Sequence, residues 1–148
     1  MDDKAFMRLA IEEAMKARHQ DEVPVGAVIV KDGEVIAKAH NHKERLNLAT
    51  AHAEMLVIRK ASEVLGSWHL EDCTLYVTLE PCMMCTGAIV LSRIKKVVIG
   101  ARENRWPGLV TLLHDHNFNH EPMIAFGPFH DECSYILTQY FKSKRESS

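Results

Sequence analysis

The sequence predicts an α/β protein, a three-layer helix–sheet–helix sandwich around a mixed five-stranded sheet. After an opening hairpin, segments with helical periodicity alternate with short apolar segments, an order in which helices cover both faces of a sheet. The connection from 100 to 123 is long enough for a crossover, so we expect the last two strands to be parallel. With 148 residues, 47% hydrophobic and 26% charged, the chain is predicted to form one domain, 1–148, with a sizeable core.

Local signals support the elements in chain order. Asp2 or Asp3 can cap the first helix, and Asp32-Gly33 is a strong hairpin signal between the first two strands. A continuously apolar segment at 27–30 indicates a central strand. We predict helices over 3–18, 51–65, 82–92, 109–113 and 130–144, and strands over 27–31, 34–39, 74–78, 96–100 and 123–126.

The second helix is predicted to carry two reactive side chains close to its N-terminus. Thr50 can cap a helix that begins at residue 51, and Gly66 can end it. His52 and Glu54 would then lie in the first turn of this helix. A histidine and a carboxylate two residues apart indicate a metal ligand beside a proton-transfer group.

The third helix is predicted to begin with two thiols. Pro81 is preorganised for a helix start, and Cys82 and Cys85 at positions i and i+3 share one helix face. Because both helices follow an extended or turn segment, their N-termini can meet at one edge of the sheet and bring His52 close to the two cysteines. A helix N-terminus also favours the anionic thiolate.

These side chains predict hydrolytic deamination of a nitrogen heterocycle. One imidazole and two thiolates can hold Zn²⁺ and leave a fourth position open for water. His52-Ala-Glu54 followed by Pro81-Cys-x-x-Cys85 is the pattern of the zinc deaminases, in which the glutamate is the general acid and base and not a ligand. Bound zinc lowers the pKa of water from about 15.7 to about 7, and Glu54 is placed to move that water's proton.

Two other types of site use the same cysteines. A structural zinc site needs a fourth ligand, for which Cys73 or His69 is available, but it leaves Glu54 without a role. A thioredoxin-like redox pair leaves both the histidine and the glutamate without one. We expect Cys73 and Cys133 to be small buried hydrophobic residues, and we therefore favour the catalytic zinc site.

Charge and hydropathy indicate a soluble protein without a polyanion-binding surface overall. The formal net charge is −2, although two local basic clusters could either meet RNA or simply be solvated. No apolar run approaches the roughly 18 residues that span a bilayer, and residues 1–4 do not begin a signal peptide, so we expect no membrane contact and a cytoplasmic location. The basic residues are Arg93, Lys95, Lys96, Arg102 and Arg105, and then Lys142, Lys144 and Arg145.

Three stretches carry a resemblance to a known family. Residues 22–28 read Glu-Val-Pro-Val-Gly-Ala-Val, residues 50–54 read Thr-Ala-His-Ala-Glu, and residues 78–85 read Thr-Leu-Glu-Pro-Cys-Met-Met-Cys. Together they resemble the cytidine and deoxycytidylate deaminase superfamily, and within it the bacterial tRNA-specific adenosine deaminase branch. The similarity extends over residues 5–144.

The resemblance implies a cytidine deaminase-like fold and a set of residue roles. It implies that His52, Cys82 and Cys85 bind Zn²⁺, that Glu54 transfers protons, and that the amide of Asn41 contacts the substrate nucleoside. It also implies a homodimer whose subunits share a substrate groove. The implied reaction converts the wobble adenosine of a tRNA anticodon loop to inosine, with the base splayed out of its loop.

One loop departs from that branch and leaves the substrate open. The branch usually has a lysine or proline before a small glycine- and alanine-rich loop, but residues 103–108 here read Glu-Asn-Arg-Trp-Pro-Gly. Trp106 can stack on a base, close the cavity over a small substrate, or pack in the core. Leu48-Ala49 also replaces a usual Asp-Pro. Two alternatives to tRNA therefore stay open: a free nucleobase, nucleoside or pterin-like substrate, or a silent binding subunit, against which the intact Glu54 argues.

Overall fold

Eleven helices and strands make up the described part of the chain, residues 2–147 of a computed structural model. Their order is α1 (Asp3–His19), β1 (Gly26–Lys31), β2 (Glu34–His40), α2 (Lys43–Leu46), α3 (Ala53–Leu65), β3 (Cys73–Leu79), α4 (Met83–Ser92), β4 (Lys96–Ala101), α5 (Leu109–Asp115), β5 (Met123–Phe126) and α6 (His130–Ser147). Within these residues no helix is both long and apolar enough to cross a membrane.

The five strands form one mixed sheet in the order β2-β1-β3-β4-β5. Strand β1 is antiparallel to β2 and to β3, whereas β3, β4 and β5 run parallel. The predicted hairpin and the predicted parallel pairing of the last two strands are both confirmed. The pairs Gly26↔His40 and Leu79↔Ala101 show that the start of β1 and the ends of β2, β3 and β4 lie at one edge of the sheet.

Helices cover both faces of this sheet, so the predicted three-layer sandwich is confirmed. Alternate residues along each strand point to opposite faces and belong to two separate hydrophobic clusters. In β1, Ile29 belongs to a cluster that includes residues of α3, α4 and α5, while Val28 belongs to a cluster that includes residues of α1 and α6. The predicted burial of Cys73 and Cys133 is also confirmed. This arrangement leaves the loops at the shared sheet edge free to form a site.

The cap of α1 is as predicted, because Asp2 Oδ1 accepts a hydrogen bond of 3.0 Å from the Ala5 amide. The predicted cap of α3 by Thr50 is wrong. The helix begins at Ala53, His52 occupies the N-cap position, and Asn41 Oδ1 accepts from the Ala53 amide at 2.7 Å. A side chain from the end of β2 therefore replaces the local hydroxyl.

Two further boundaries differ from the prediction. Helix α4 begins at Met83, so Cys82 is its N-cap residue and precedes the helix instead of opening it. The four-residue helix α2 was not predicted, because it has no side-chain cap of its own. The carboxylate of Glu22 instead accepts from the amides of Glu44 and Arg45 at 2.9 and 2.8 Å. For α2, a contact distant in sequence therefore stabilises the first turn of the helix.

Candidate active site and metal centre

The three predicted metal ligands lie together at the shared edge of the sheet. His52 Nδ1 is 3.7 Å from the Sγ atom of Cys82 and 3.7 Å from that of Cys85. A tetrahedral zinc ion with the usual Zn–S and Zn–N bond lengths separates such ligand atoms by about 3.6 Å. The donor types and their spacing therefore fit Zn²⁺ with one position left open.

The alternative with a fourth protein ligand gains no support. Within residues 2–147, the metal-binding cluster that includes His52 consists of that histidine, Cys82 and Cys85. Cys73 is buried at the start of β3, and His69 pairs with Glu71 on the surface. An open position is the mark of a catalytic zinc site, whereas structural sites are closed by four protein ligands.

Electrostatics inside the cluster favour metal binding. Hydrogen bonds from the Cys85 thiol and from His52 lower the pKa of Cys82 to about 4, against the opposing effect of burial. The bond to Cys82 raises the pKa of His52. The bond to Cys82 and burial raise the pKa of Cys85. The lowered pKa favours the thiolate form of Cys82, which is the form that binds a metal.

Glu54 lies next to the metal cluster in the first turn of α3. Its side chain is buried, with 4% of the residue exposed, and it lines the same cavity as His52 and Cys82. Burial raises the pKa of Glu54 to about 7. A carboxyl group with a pKa close to neutral can both accept and return a proton, which is what a general acid and base requires.

The cavity above the cluster has a volume of about 250 Å³. Asn41 and Lys43 line it on the side of β2, and Arg105 and Trp106 line it on the side of β4. Asn41 is 8% exposed, and its Oδ1 atom is committed to the Ala53 amide. The side-chain NH₂ group of Asn41 is therefore the part that can donate to a ligand.

Trp106 lies at the rim of the cavity and does not pack in the core. It is 56% exposed, and the Arg105 guanidinium lies 4.7 Å from the centre of its ring. Of the three roles left open for Trp106, this exposure excludes packing in the core, because the loop that carries it leaves the edge of the sheet beyond β4. Its ring also borders a second, apolar cavity of about 530 Å³ that includes Met83, Met84 and Leu112.

Two buried glutamates, which the sequence analysis did not single out, accept hydrogen bonds from segments that line the cavity. Glu22 is 0% exposed and supports α2, as described above. Glu80 is 3% exposed, and its Oε1 atom accepts from Arg102 Nε at 3.0 Å and its Oε2 atom from the Val110 amide at 2.8 Å. A glutamate directly before Pro81-Cys82, in a position where burial is expected, was the available signal.

Two residues of the first basic cluster form internal ion pairs. Arg102 pairs with Glu80, and Arg105 pairs with Glu103 at 3.0 Å. In the second cluster, Lys144 pairs with Asp21. Each of these three side chains has an acidic partner and keeps 44–53% of its surface exposed, so RNA contact by the basic clusters stays a prediction.

Known proteins are similar to this chain over most of its length. A family model of the cytidine and deoxycytidylate deaminase zinc-binding region matches residues 1–101. A tRNA-specific adenosine deaminase of Bacillus subtilis (strain 168) is 48% identical over 147 residues, which covers 97% of this chain and 91% of that protein.

Two solved structures are similar to this chain over most of its length. One, from work on A-to-I editing by tRNA:A34 deaminases at the wobble position of transfer RNA, is 43% identical with a TM-score of 0.86 and covers 90% of this chain and 99% of its own. The other, a guanine deaminase from Bacillus subtilis, is 32% identical with a TM-score of 0.67 and covers 99% of this chain and 95% of its own.

Proposed function

The chain belongs to the cytidine and deoxycytidylate deaminase family, and we propose that within this family it acts on tRNA, converting the wobble adenosine of an anticodon loop to inosine. Family membership makes the protein a zinc-dependent hydrolytic deaminase and not a silent binding subunit. The observation that carries the tRNA substrate is 48% identity, over nearly the full length of both chains, to a tRNA-specific adenosine deaminase. The similarity to the guanine deaminase is lower in both sequence and structure.

In this proposal His52, Cys82 and Cys85 hold the zinc ion, as their donor atoms and spacing support. When bound, zinc supplies a hydroxide-like nucleophile near neutral pH. Glu54 accepts one proton of the attacking water and delivers it to a ring nitrogen as the hydroxyl adds to C6 of adenine. It then moves the proton of the new C6 hydroxyl to the amine, which leaves as ammonia while the C6 carbonyl forms, so that adenosine and water give inosine and ammonia. The raised pKa of Glu54 supports this double role.

Asn41 and Trp106 are proposed to bind the nucleotide. The NH₂ group of Asn41 donates a hydrogen bond to an acceptor of the target nucleoside, since its oxygen already serves as the cap of α3. Trp106 offers an exposed ring at the rim, on which a base next to the target can stack. The target base must leave its own stack to enter a cavity of about 250 Å³.

We further propose that the protein is a homodimer. Met83, Gly87 and Leu91 lie at i, i+4 and i+8 on α4, which makes an exposed stripe with a small residue at its centre; Met83 is 77% and Leu91 72% exposed. The stripe begins at the apolar cavity beside Trp106, so a second copy seated there would border the substrate site. In sedimentation velocity, Leu91→Glu is expected to convert a dimer to a monomer.

A cytoplasmic location and a single deaminase domain complete the proposal. The substrate, tRNA, is a cytoplasmic molecule in bacteria, and all four cysteines are free thiols, as a reducing compartment requires. The layers of the sandwich, which include helices from both ends of the chain, support one domain.

The test is a comparison of substrates with the zinc-loaded protein. Anticodon stem-loops with adenosine at the wobble position are incubated beside guanine, cytosine, adenine and their nucleosides, and inosine and ammonia are measured. We expect inosine in a stem-loop and Glu54→Ala to abolish it. Ammonia from a free base, with no inosine in any stem-loop, would refute the tRNA substrate.

A further inference from the structure

We propose that Glu80 is a positioning residue that holds the rim loop, residues 102–108, in the shape that binds the substrate. Glu80 lies between β3 and the metal-binding turn at Cys82 and contacts neither the cluster's imidazole nor its thiols through any described hydrogen bond. The inference deepens the proposed function, because it rests on the rim being the part that contacts the nucleotide.

The carboxylate of Glu80 joins both ends of the loop. One oxygen accepts from Arg102 Nε at 3.0 Å and from the Glu103 amide at 3.1 Å, where the loop begins. The other accepts from the Val110 amide at 2.8 Å, in the first turn of α5, where the loop has ended. The side chain is 1% exposed, so water does not compete for these bonds.

The backbone around Glu80 makes the same connection. The Glu80 amide donates to the Ala101 carbonyl at 2.8 Å, and the Leu109 amide donates to the Pro81 carbonyl at 3.0 Å. The segment before the metal-binding turn is therefore tied to the residues on both sides of the loop. A change in the loop anchor can alter the rim while the ligands stay in place.

A series of contacts connects Glu80 to Trp106 at the rim of the cavity. The Glu103 carboxylate accepts from the Arg105 amide and Nε at 2.9 and 3.0 Å, and the Arg105 guanidinium lies over the Trp106 ring. The Glu103 side chain is 7% exposed, whereas the Arg105 side chain is 53% exposed, so the buried carboxylate holds a guanidinium that reaches the surface. Three consecutive contacts, from Glu80 to Glu103, from Glu103 to Arg105 and from Arg105 to Trp106, thus connect a buried carboxylate to an exposed tryptophan.

Gly108 lies against the Glu80 carboxylate, where there is no room for a larger side chain. A Cβ atom at this position would lie 2.9 Å from the Cδ and Oε2 atoms of Glu80. The backbone of Gly108, with φ −106° and ψ −162°, is open to any residue. Glycine is needed here to leave room for the carboxylate and not to relieve the backbone.

Two variants test the anchor from its two sides. In Glu80→Gln an amide group replaces one carboxylate oxygen, so one of the donors at 102, 103 and 110 loses its acceptor. Gly108→Ala keeps Glu80 and pushes against it. Glu22→Gln is the matched control, because Glu22 is equally buried but binds α2 and not the rim.

The first measurement needs no RNA. A Trp68→Phe background leaves Trp106 as the sole tryptophan of the two in the chain, and acrylamide quenching then reports its exposure. We expect quenching to rise by up to about twofold in Glu80→Gln and Gly108→Ala, since Trp106 is already 56% exposed, and to stay unchanged in Glu22→Gln. Unchanged quenching in both rim variants would overturn the proposal.

The second measurement uses the zinc-loaded enzyme and an anticodon stem-loop. We expect KM to rise about tenfold in both rim variants, with kcat within about twofold and bound zinc unchanged. A loss of zinc, or a fall in kcat at constant KM, would show a role in the metal centre instead and refute the proposal. If the stem-loop is no substrate at all, the proposed function fails, while the quenching result still decides the role of Glu80.

Discussion

His52 and Cys82 occupy the N-cap positions of α3 and α4, whereas Trp106 lies in an irregular loop between β4 and α5. The ligands of the metal centre therefore follow from where regular helices begin. The rim follows from hydrogen bonds of one buried carboxylate and from an ion pair between Glu103 and Arg105. We propose that the metal centre performs the chemistry and that the rim selects the substrate.

We expect the metal centre and the rim to be able to change independently of each other. The metal centre depends on short local motifs, and its members cannot move without moving a helix. The rim depends on polar contacts across 22, 23 and 30 residues of sequence, which leave the intervening loop free to vary. Substitutions in the metal centre are thus expected to abolish the reaction, and substitutions in the rim to weaken substrate binding.

The largest effect is expected from removing a metal ligand. Cys85→Ala leaves two ligands, which is too few for a stable zinc site, so bound zinc and activity should both be lost. Metal analysis of the purified protein and an inosine assay measure this. Stoichiometric zinc and full activity in this variant would contradict the ligand assignment.

The second prediction separates chemistry from metal binding. Glu54→Gln keeps the shape of the side chain but cannot carry the proton, so kcat should fall by about 10² to 10⁴. Zinc content should equal that of the wild type, because Glu54 is not a ligand in the proposed site. A variant that kept its kcat would show that another group transfers the proton.

The third prediction concerns the rim. Trp106→Ala should raise KM for the stem-loop by roughly 5- to 150-fold, the range that a loss of about 1–3 kcal/mol of base stacking gives. Trp106→Phe should recover most of this loss, because it retains an aromatic face. Equal defects in both variants, or a defect in kcat alone, would rule out stacking.

The smallest effect is expected from Asn41, which belongs to both parts of the site. Asn41→Asp keeps an acceptor for the Ala53 amide and loses the NH₂ donor, so kcat/KM should fall about tenfold while Tm is retained. Asn41→Ala should lose about 1 kcal/mol of stability as well. Thermal unfolding and kinetics on both variants distinguish the cap from the substrate contact.

The sequence predicted the metal centre well because its signal is local. His52 and Glu54 are two residues apart, and Cys82 and Cys85 are three apart. Each pair therefore lies within one turn of the chain whatever the rest of the fold is. The alternation of helices and strands likewise predicted the sandwich and the parallel pairing of β4 with β5.

What the sequence did not predict depends on side chains that reach another element. Asn41 replaces Thr50 as the cap of α3, and Glu22 caps α2 from more than twenty residues away. Neither contact has a periodicity or a spacing that a single sequence displays. The sequence also could not choose among the three roles of Trp106, because residue type favours burial of a tryptophan, whereas a loop that leaves the sheet edge exposes even a large aromatic side chain.

The anchor formed by Glu80 has a practical consequence for redesign of the rim loop. The Glu80 carboxylate accepts hydrogen bonds from the backbone amides of Glu103 and Val110, which do not depend on the side chains between them. We therefore expect that residues 104–107 can be replaced together, provided that Glu80 and Gly108 are retained. Libraries confined to residues 104–107 should therefore yield folded, zinc-loaded enzymes with altered substrate range. The same device offers a route by which natural relatives could diversify their substrates without rebuilding the centre that deaminates them.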